Sequence, residues 1–550
     1  MSQKYIQIHP EDNVVAALTD LEKGESFLIN GIKVVLQEEV RAKHKFTVAT
    51  LAEGEIIKMY GVMVGKASER IPQGSRISTE NTEHAAQSYG EKDRSSKWKI
   101  PDVSKWKDKT FLGYHRADGK VGTMNYWIVI PLVFCENRNI KVIQEAMAEQ
   151  LGYSTDRQFS VDTQLLIDQY RDGASTETLL NTDIIRSSEE IQKKRTFPNI
   201  DGIKFLTHDG GCGGIRQDSE TLCRLLATYI NHPNVAGATV LSLGCQNAQY
   251  KLLEKSLGEL NPKFHKPLYI LEQQESASER EFIATAVKKT FVGLIKANKI
   301  ERTPASIKNL SLGLECGGSD GFSGISANPA LGYASDLLVA LGGSAILSEF
   351  PELNGVEQGL INRCATKSKA DKFARIMKAY SDSAEAVGSG FKNNPSPGNI
   401  KDGLITDAMK SAGAAKKGGT SPITDVLDYT EVVTKSGLNL LCTPGNDVES
   451  TTGLASAGAN LIVFTTGLGT PTGNPITPVI KMSSNNSLAK RMSDIIDINA
   501  GTIITGEETI ETKGAELLDL LIKVASGEVT THATRLGQDD FIPWKRGVSL

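Results

Sequence analysis

The first part of the chain alternates short apolar runs with turns. Runs such as residues 27–37 and 44–51 are rich in β-branched and aromatic side chains, which favour strands. Glycines interrupt these runs at positions 24, 31 and 54. The pattern predicts a small β-rich module over residues 1–90. A charged stretch without apolar periodicity follows and predicts a linker over residues 91–110.

Beyond the linker, continuous apolar runs alternate with segments of helical periodicity. Continuous runs are typical of strands buried on both faces, and the alternation is typical of parallel α/β architecture. The predicted strands lie within residues 126–135, 203–212, 238–245, 268–274, 310–321, 343–350, 438–447 and 461–469. We therefore expect a multidomain α/β protein, in which the β-rich module precedes two Rossmann-like domains with mostly parallel sheets, at residues 111–305 and 306–550. Residues 411–421 are rich in Gly, Ala and Lys and predict a mobile loop.

Length and charge narrow the classes of function. The chain has 550 residues, too many for one hydrophobic core, which stops growing at about 250–300 residues. Its 61 basic and 65 acidic residues give a net charge of −4, which indicates neither a nucleic-acid partner nor an anionic membrane. The longest apolar runs fall short of the ~20 residues of a membrane span, and the first residues contain no hydrophobic signal region. We expect a cytoplasmic protein with a small-molecule partner.

Most of the seven cysteines stand at or just past the predicted carboxyl end of a strand. These are Cys135, Cys212, Cys245, Cys316 and Cys442, whereas Cys223 and Cys364 fall inside predicted helices. Ligands of open α/β sheets bind outside the carboxyl ends of the strands, so the strand-end thiols occupy the predicted place of a site. A buried cysteine is also an ordinary small apolar residue, and that alternative stays open for each thiol taken alone.

The available side chains favour a metal ion over an organic cofactor. No C-x-x-C pair supports a zinc ribbon or a ferredoxin-like cluster, whereas mixed His, carboxylate and thiolate ligands suit one divalent ion. His208 lies at a glycine-rich strand end, and His44 lies in the β-rich module. Loops at residues 394–399, 443–447 and 465–471 offer amides, hydroxyls and backbone N–H groups that suit a polyhydroxylated anion. The chain has no phosphate-binding glycine motif, which argues against a nucleotide.

Three motifs resemble a known family. They are residues 315–329 (ECGGSDGFSGISANP), residues 394–399 (NPSPGN) and residues 444–447 (PGND). With these motifs the chain resembles the altronate dehydratase and galactarate dehydratase family, and more closely its altronate branch. Residues 1–90 are similar to the SAF-type module of such enzymes, and residues 113–123 are similar to the family's opening of the second domain. The resemblance covers nearly the whole chain.

The resemblance implies metal-assisted loss of water from a sugar acid. The expected reaction converts D-altronate to 2-dehydro-3-deoxy-D-gluconate in hexuronate catabolism, with Fe(II) or Mn(II) as the activating ion. Such a hydro-lyase needs a cation to stabilise the enediolate, a base for the α-proton and an acid for the departing hydroxyl. The resemblance does not fix the oligomeric state, and a homo-oligomer is one possibility.

Motifs and resemblance together give the expected site residues. The expected catalytic residues are His208, Glu315 and Asp320, with His208 as base or metal ligand. The expected substrate-binding residues are His44, Asn328, Asn399, Asn446, Asp447 and Thr466. The expected metal ligands are His208, Cys212, Cys245, Glu315 and Cys316.

Departures from the family pattern bear on the substrate. Ser78 and Glu80 stand where many relatives have His-x-His, Gln246 replaces a usual Glu, and Met124 and Leu468 replace common arginines. The two missing cations favour a substrate with a neutral hydroxymethyl end over an aldarate, which has a carboxylate at both ends. The alternatives are a galactarate or other aldarate dehydratase, a member of the more distant sulfolactate-lyase branch, and a non-catalytic sugar-acid-binding protein.

Overall fold

The N-terminal part of the computed structural model, which describes residues 3–94, 97–154, 159–187 and 194–549, is a β module. Its strands are β1 (Tyr5–Ile6), β2 (Val14–Ala17), β3 (Ser26–Ile29), β4 (Ile32–Val35), β5 (Lys45–Thr47), β6 (Ile56–Met59), β7 (Val62–Ala67) and β8 (Thr82–Glu83). They form three antiparallel sheets in the orders β1-β2-β5, β3-β4 and β6-β7-β8. The predicted β-rich module is confirmed.

The predicted linker packs against the C-terminal part of the chain. The indole of Trp106 is buried and donates a hydrogen bond to Asp519 at 2.8 Å. Lys105 and Lys109 pair with the same carboxylate at 2.7 and 2.9 Å. These contacts hold the stretch on the surface of the C-terminal domain. Residues 95–96 of the predicted linker lie outside the described residues.

The second domain is built on a four-stranded parallel sheet. Its strands are β9 (Thr110–His115), β10 (Val121–Gly122), β11 (Tyr126–Pro131), β12 (Phe159–Val161), β13 (Ile185–Ser187), β14 (Gly202–Phe205), β15 (Val235–Ser242), β16 (Leu268–Glu272) and β17 (Thr303–Ser306). Its helices are α1 (Asn137–Met147), α2 (Thr163–Arg171), α3 (Thr176–Leu180), α4 (Arg216–Asn231), α5 (Tyr250–Leu260) and α6 (Glu279–Ala297). The parallel sheet has the order β14-β11-β15-β16, and β9 joins β10 and β17 in a separate antiparallel sheet.

The C-terminal domain is built on a seven-stranded parallel sheet. Its strands are β18 (Ser311–Cys316), β19 (Ser344–Leu347), β20 (Ile423–Leu427), β21 (Gly437–Leu441), β22 (Leu461–Thr466), β23 (Val479–Ser483) and β24 (Ile498–Asn499). Its helices are α7 (Ala327–Ala340), α8 (Glu357–Arg363), α9 (Lys367–Ala386), α10 (Pro397–Lys401), α11 (Asp407–Ala414), α12 (Asp447–Ser456), α13 (Asn486–Arg491), α14 (Gly501–Ile504), α15 (Ile510–Ala525) and α16 (His532–Arg535). Every residue of β22 is buried, as expected for a strand covered on both faces. The predicted architecture of two mostly parallel α/β domains is confirmed.

The order of the seven strands marks the place where a ligand is expected. The order is β20-β21-β19-β18-β22-β23-β24, so the chain first builds the half of the sheet on one side of β18, with β20 at its edge, and then builds the other half outward from β22. The reversal between β18 and β22 is a topological switch point, where open parallel sheets bind their ligands at the carboxyl ends of the strands.

Two local predictions are wrong. Residues 411–421 form the end of α11 and a turn of 3-10 helix, with Lys417 buried, because the segment packs under the carboxyl edge of the large sheet. Cys364 lies one residue beyond α8 and pairs with Ile423 in an isolated bridge, so it is not inside a helix. None of the helices in the described ranges has both the length and the apolar character of a membrane span.

Candidate active site

Polar residues gather at the carboxyl edge of the seven-stranded sheet, around the switch point. Glu315 and Cys316 end β18, Ser348 and Glu349 follow β19 directly, and Thr466 ends β22. All five residues are buried. Polar groups that are placed inside the protein at such an edge must be satisfied by one another or by a ligand.

Two glutamates converge on the thiol of Cys316. Its Sγ atom lies 3.7 Å from Glu349 Oε2 and 3.5 Å from Glu352 Oε2. In the described part of the chain, these three form the one group of three or more His, Cys, Asp or Glu residues whose ligand atoms lie within 4.8 Å of one another. The predicted ligand Cys316 therefore has two carboxylate neighbours suited to the same ion.

Two lysines balance the charge of these acids. Lys417 Nζ lies 2.9 Å from Cys316 Sγ and 2.7 Å from Glu349 Oε2. Lys410 Nζ lies 2.6 Å from Glu352 Oε1. Burial would lower the pKa of Lys417, but the surrounding acids outweigh burial and raise it well above its usual range. The acid–lysine cluster comprises Glu315, Cys316, Glu349, Glu352, Lys410 and Lys417.

Glu315 and Glu349 are buried carboxyls that act on each other. Their Oε1 atoms have no hydrogen-bond donor among the described residues. Burial and the adjacent charge of Glu349 raise the pKa of Glu315 well above its usual range, so a protonated Glu315 can donate to Glu349. Burial also raises the pKa of Glu349 and that of the Cys316 thiol. Two buried carboxyls in contact share a proton because both cannot ionise in a low dielectric.

Glu352 keeps its negative charge. Burial would raise its pKa, but Lys410 and Lys417 outweigh burial and the pKa of Glu352 is lowered. The amide of Asn394 donates to Glu352 at 3.2 Å and accepts from Lys410 at 3.1 Å. The predicted ligand-binding loop at residues 394–399 therefore contributes directly to the acid–lysine cluster.

The backbone at Glu349 is strained. Its φ of 65° and ψ of 60° lie in the left-handed region, which residues other than glycine seldom adopt. Its N–H donates to Thr443 Oγ1 at 2.9 Å. Ser348 and Ser450 donate to Glu315 at 3.1 and 2.6 Å. Strain of this kind persists where the surrounding structure fixes a functional group.

Three predicted substrate-binding residues connect the loops of the site. Asn328 accepts a hydrogen bond from Thr465 at 2.6 Å. Asn399 donates to the carbonyl of Ser319 at 2.7 Å. Thr466 accepts from the backbone of the loop after β22 at 3.0 Å. All three side chains are buried, and their predicted contact with a substrate stays a prediction.

Asn446 and Asp447 lie at the start of α12. Asn446 caps this helix by accepting two backbone N–H groups, each at 3.1 Å. Asp447 is half-buried, and burial raises its pKa. Its carboxylate lies over Gly317, where an added Cβ would be 2.3 Å from the Oδ2 atom, so this close approach requires glycine.

The N-terminal module reaches the same edge through a turn at Lys43. The backbone of Lys43 has a φ of 77°. Its carbonyl oxygen is 2.3 and 2.4 Å from the Cβ positions that side chains at Gly321 and Gly403 would occupy. Its ammonium pairs with Asp320 at 3.1 Å and with Asp402 at 2.7 Å. The turn fits between two loops of the C-terminal domain because both glycines lack a side chain.

Asp320 holds several loops together. Its Oδ1 accepts from the hydroxyls of Ser323 and Ser484 at 2.9 and 2.8 Å, and its Oδ2 accepts from Asn485 at 3.1 Å. His44, in the Lys43 turn, places Nε2 3.2 Å from the carbonyl of Lys401. The structure thus brings both predicted residues to the edge of the site, and their catalytic and substrate roles stay predictions.

His208, Cys212 and Cys245 lie at the carboxyl edge of the other parallel sheet. His208 Nε2 is 2.8 Å from the Pro131 carbonyl and Nδ1 accepts from the N–H of Gly210 at 3.1 Å, so backbone groups engage both ring nitrogens. Burial lowers the pKa of His208. Cys212 and Cys245 are exposed. The structure therefore does not join these three residues to Cys316 in one ligand group of the described chain.

The positions that depart from the family pattern have different surroundings. Met124 is buried at the amino end of β11, where its sulfur lies 3.6 Å from the guanidinium of Arg302. Leu468 lies at the site, against Gly318. Gln246 closes a turn in the second domain by accepting the N–H of residue 244 at 2.6 Å. Of these three positions, Leu468 is the one beside the glycine-rich loop that follows β18.

The sequence patterns do not single out four residues of the acid–lysine cluster. These are Glu349, Glu352, Lys410 and Lys417. Glu349 directly follows β19, so the strand-end argument that found Cys316 also applies to it. No local signal marks Lys417, because its segment has the composition of a loop and its function depends on tertiary packing.

Family models match the chain in three consecutive parts. The SAF domain of altronate/galactarate dehydratases matches residues 3–85. The second domain of D-galactarate dehydratase/altronate hydrolase matches residues 113–298, and the C-terminal domain of D-galactarate/altronate dehydratases matches residues 307–549.

Curated relatives match over almost their full length. Altronate dehydratase of Bacillus subtilis (strain 168) is 33% identical over 548 residues, which is 100% of both chains. The chain belongs to the altronate/galactarate dehydratase family. Altronate dehydratase of Escherichia coli (strain K12) is 30% identical over 100% of both chains. Galactarate dehydratase (L-threo-forming) of the same strain is 31% identical, over 97% of this chain and 95% of its own. As a member of this dehydratase family, the chain is a hydro-lyase.

Proposed function

We propose that this hydro-lyase converts D-altronate to 2-dehydro-3-deoxy-D-gluconate in cytoplasmic hexuronate catabolism, with Fe(II) or Mn(II) as its ion. The observation that carries the proposal is the buried acid–lysine cluster at the switch point of the large sheet. The two relatives called altronate dehydratases support the choice of substrate, because they match the chain from end to end.

The donor set of the cluster suits the proposed ion. Cys316, Glu349 and Glu352 would hold it, since one thiolate and two carboxylates suit Fe(II) and Mn(II) better than they suit Mg(II). The Glu349 oxygen that has no hydrogen-bond donor among the described residues supports this assignment. When bound, such an ion stabilises the negative charge that develops on the substrate carboxylate.

The side chains around this ligand set supply the remaining chemistry. Glu315 carries a proton into the site, and we assign to it the protonation of the departing hydroxyl. Lys410 and Lys417 supply two positive charges beside this ligand set, and we assign to them the attraction of the anionic substrate. Because water is excluded at this depth, these charges act more strongly than they would on the surface.

The surroundings of Leu468 bear on the far end of the substrate. An apolar side chain there suits a neutral hydroxymethyl group, whereas a second carboxylate would be buried without a partner. A galactarate-type substrate is the second candidate, because Arg491 places a guanidinium 3.2 Å from the Leu468 carbonyl. A guanidinium is the group that would pair with a second carboxylate.

A substrate and metal panel tests the proposal. Purified protein is loaded anaerobically with Fe(II), Mn(II) or Mg(II), and 2-keto acid is measured from altronate, galactarate and other aldonates. We expect altronate to exceed galactarate by at least ~100-fold in kcat/KM, as a buried mismatch of about 3 kcal/mol gives. A preference for galactarate contradicts the substrate assignment. Full activity of demetallated protein contradicts the proposed metal dependence. If none of the acids is converted, the proposed dehydratase function is contradicted.

A further inference from the structure

Lys481 is a buried lysine without a partner. It lies in the middle of β23 with a relative exposure of 0%. Its Nζ atom has no hydrogen-bond partner and no ion pair among the described residues. The atom lies 3.6 Å from the centroid of the Phe464 ring. Leaving a buried amine unpaired costs stability, so its presence requires an explanation.

The strand register brings Lys481 toward the acid–lysine cluster. Glu315 of β18 pairs with Phe464 of β22, and Phe464 pairs with Lys481 of β23. Residues paired across parallel strands point to the same face of a sheet, and three such residues span only about 10 Å. Lys481 therefore lies two strands from Glu315, on the face that α12 covers.

Acidic groups on different elements act on the charge of Lys481. They are Asp447 of α12, Asp497 after α13, Glu315 of β18 and Asp540 near the C-terminus. Asp497 is engaged by His532 at 2.7 Å, and Asp540 by the N–H of residue 473 at 2.8 Å. Burial outweighs all four charges and lowers the pKa of Lys481 to about 7.

Lys481 differs in this respect from the two lysines of the cluster. The acids around Lys417 and Lys410 raise the pKa of both ammonium groups, so those lysines stay charged. Asp447 connects the two environments, because Glu352, Lys410, Lys417 and Lys481 all influence its pKa. One edge of the sheet thus holds two lysines whose charged form the acids favour and one lysine whose charged form burial disfavours.

We propose that Lys481 is the catalytic base that removes the proton from the carbon next to the carboxylate of the sugar acid. This role rests on the proposed function. The α-proton passes to the Nζ lone pair, and the C–H electrons form the new C=C bond. The C–O bond at the next carbon breaks, and the hydroxide leaves as water with the Glu315 proton. The product enol has its hydroxyl on the α-carbon and its double bond to the carbon that lost the hydroxide. It becomes the 2-keto acid when Lys481 returns its proton to the carbon that lost the hydroxide and the enol O–H proton passes to Glu315.

A structural role for Lys481 gives the opposite prediction for stability. If the ammonium stabilises the fold by its contact with the Phe464 ring, removing it lowers stability. If the amine is kept for catalysis, Met at this position fills the same space without a buried polar group, and stability is maintained or rises. The sign of the change in stability therefore distinguishes the two roles.

The experiment compares Lys481→Met with Lys266→Met, a matched control in the second domain. Lys266 is also a buried lysine, but it donates to the His232 carbonyl at 2.6 Å, so its loss should lower stability and leave kcat/KM unchanged in the folded protein. For Lys481→Met we expect equal or higher resistance to urea, unchanged metal content and at least a ~10³-fold lower kcat/KM, as for the loss of a general base. Wild-type kcat/KM should rise with pH through about 7, as Lys481 loses its proton.

The outcomes separate the base role of Lys481 from the proposed function. Active wild-type protein together with an active Lys481→Met variant overturns the base role and leaves the proposed function standing. Wild-type protein that turns over no acid of the panel overturns the proposed function and the base role with it. If Lys481→Met fails to fold, Lys481→Arg decides, because arginine keeps the cation over the ring but cannot act as a base near neutral pH. A folded, active arginine variant overturns the proposal.

Discussion

At the carboxyl edge of the four-stranded sheet, Cys212 and Cys245 are exposed and both nitrogens of His208 are bound by backbone groups. At the corresponding edge of the seven-stranded sheet, Cys316 is buried among two carboxylates and a lysine. Both edges have glycine-rich loops and strand-end cysteines in the sequence. The difference teaches that a strand end marks where a site can form, whereas burial together with other ionisable groups is the feature that makes one of the two edges the better candidate.

The largest expected effect comes from removing one carboxylate of the buried edge. Glu349→Gln preserves shape but removes a charge next to Cys316, and we expect kcat/KM to fall by about 10³-fold or more, as for loss of a group that acts on developing charge. Steady-state assays with altronate measure the loss. The control Glu279→Gln removes an exposed pair with Arg138 and should leave kcat/KM unchanged. Equal losses in the two variants would break the comparison.

The second expected effect is on stability. Lys417→Met leaves Glu349 and Cys316 buried without their cation, and we expect the free energy of unfolding to fall by about 3–5 kcal/mol. Urea denaturation measures this change. Lys204→Met, at the other sheet, removes a less buried pair with Asp539 and should cost less than about 1 kcal/mol. A smaller loss for Lys417 than for Lys204 contradicts the assignment of the cluster.

Metal content tests which edge holds an ion. Cys316→Ser should lower the affinity for Fe(II) or Mn(II) at least about tenfold, because even partners outside the ligand shell contribute that much. Equilibrium dialysis followed by metal analysis measures the affinity. Cys245→Ser should bind like the wild type, since Cys245 is exposed and its thiol accepts a hydrogen bond from the amide of Gln274 at 3.3 Å. A loss of affinity in Cys245→Ser but not in Cys316→Ser would place the ion in the second domain, which the sequence motifs alone also allow.

The smallest expected effect is a pH dependence of the free energy of unfolding, caused by a lysine where the N-terminal module meets the large sheet. Lys45 is fully buried, and burial lowers its pKa from 10.5 to about 7. Between these two values the unfolded chain binds more protons than the folded chain, so this lysine makes the free energy of unfolding rise with pH, by at most about 1.4 kcal/mol per pH unit. Urea denaturation at pH 7, 8 and 9 should show a smaller slope for Lys45→Met. An unchanged slope contradicts the prediction.

Apolar runs predicted most of the sheet strands but not all of them. Strands such as β15 and β22 are continuous apolar segments because helices cover both of their faces. β20 and β23 escape the same pattern because Asp425 and Lys481 interrupt them. The antiparallel pairing of β9 with β17 joins segments almost 200 residues apart, and no local pattern encodes such a contact.

The site was predictable where its residues follow a strand. Glu315 and Cys316 are marked by a strand end and a glycine-rich motif together. Lys410 and Lys417 carry no such mark, since their position depends on how α11 and the turn after it fold back under the sheet. The order of the ligands along the chain likewise could not show that His208 belongs to a different sheet edge from Cys316.

The turn at Lys43 sets an order for the assembly of the molecule during synthesis. This turn leaves the ribosome early, but its partners Asp320 and Asp402 and the glycine at 403 are made more than 270 residues later. Until these residues are synthesised, Lys43 lacks the two aspartates with which it pairs in the folded protein. A nascent chain that stops before residue 402 therefore cannot complete this edge. We expect an exchange of modules between relatives to succeed only if Gly321, Gly403, Asp320 and Asp402 are kept.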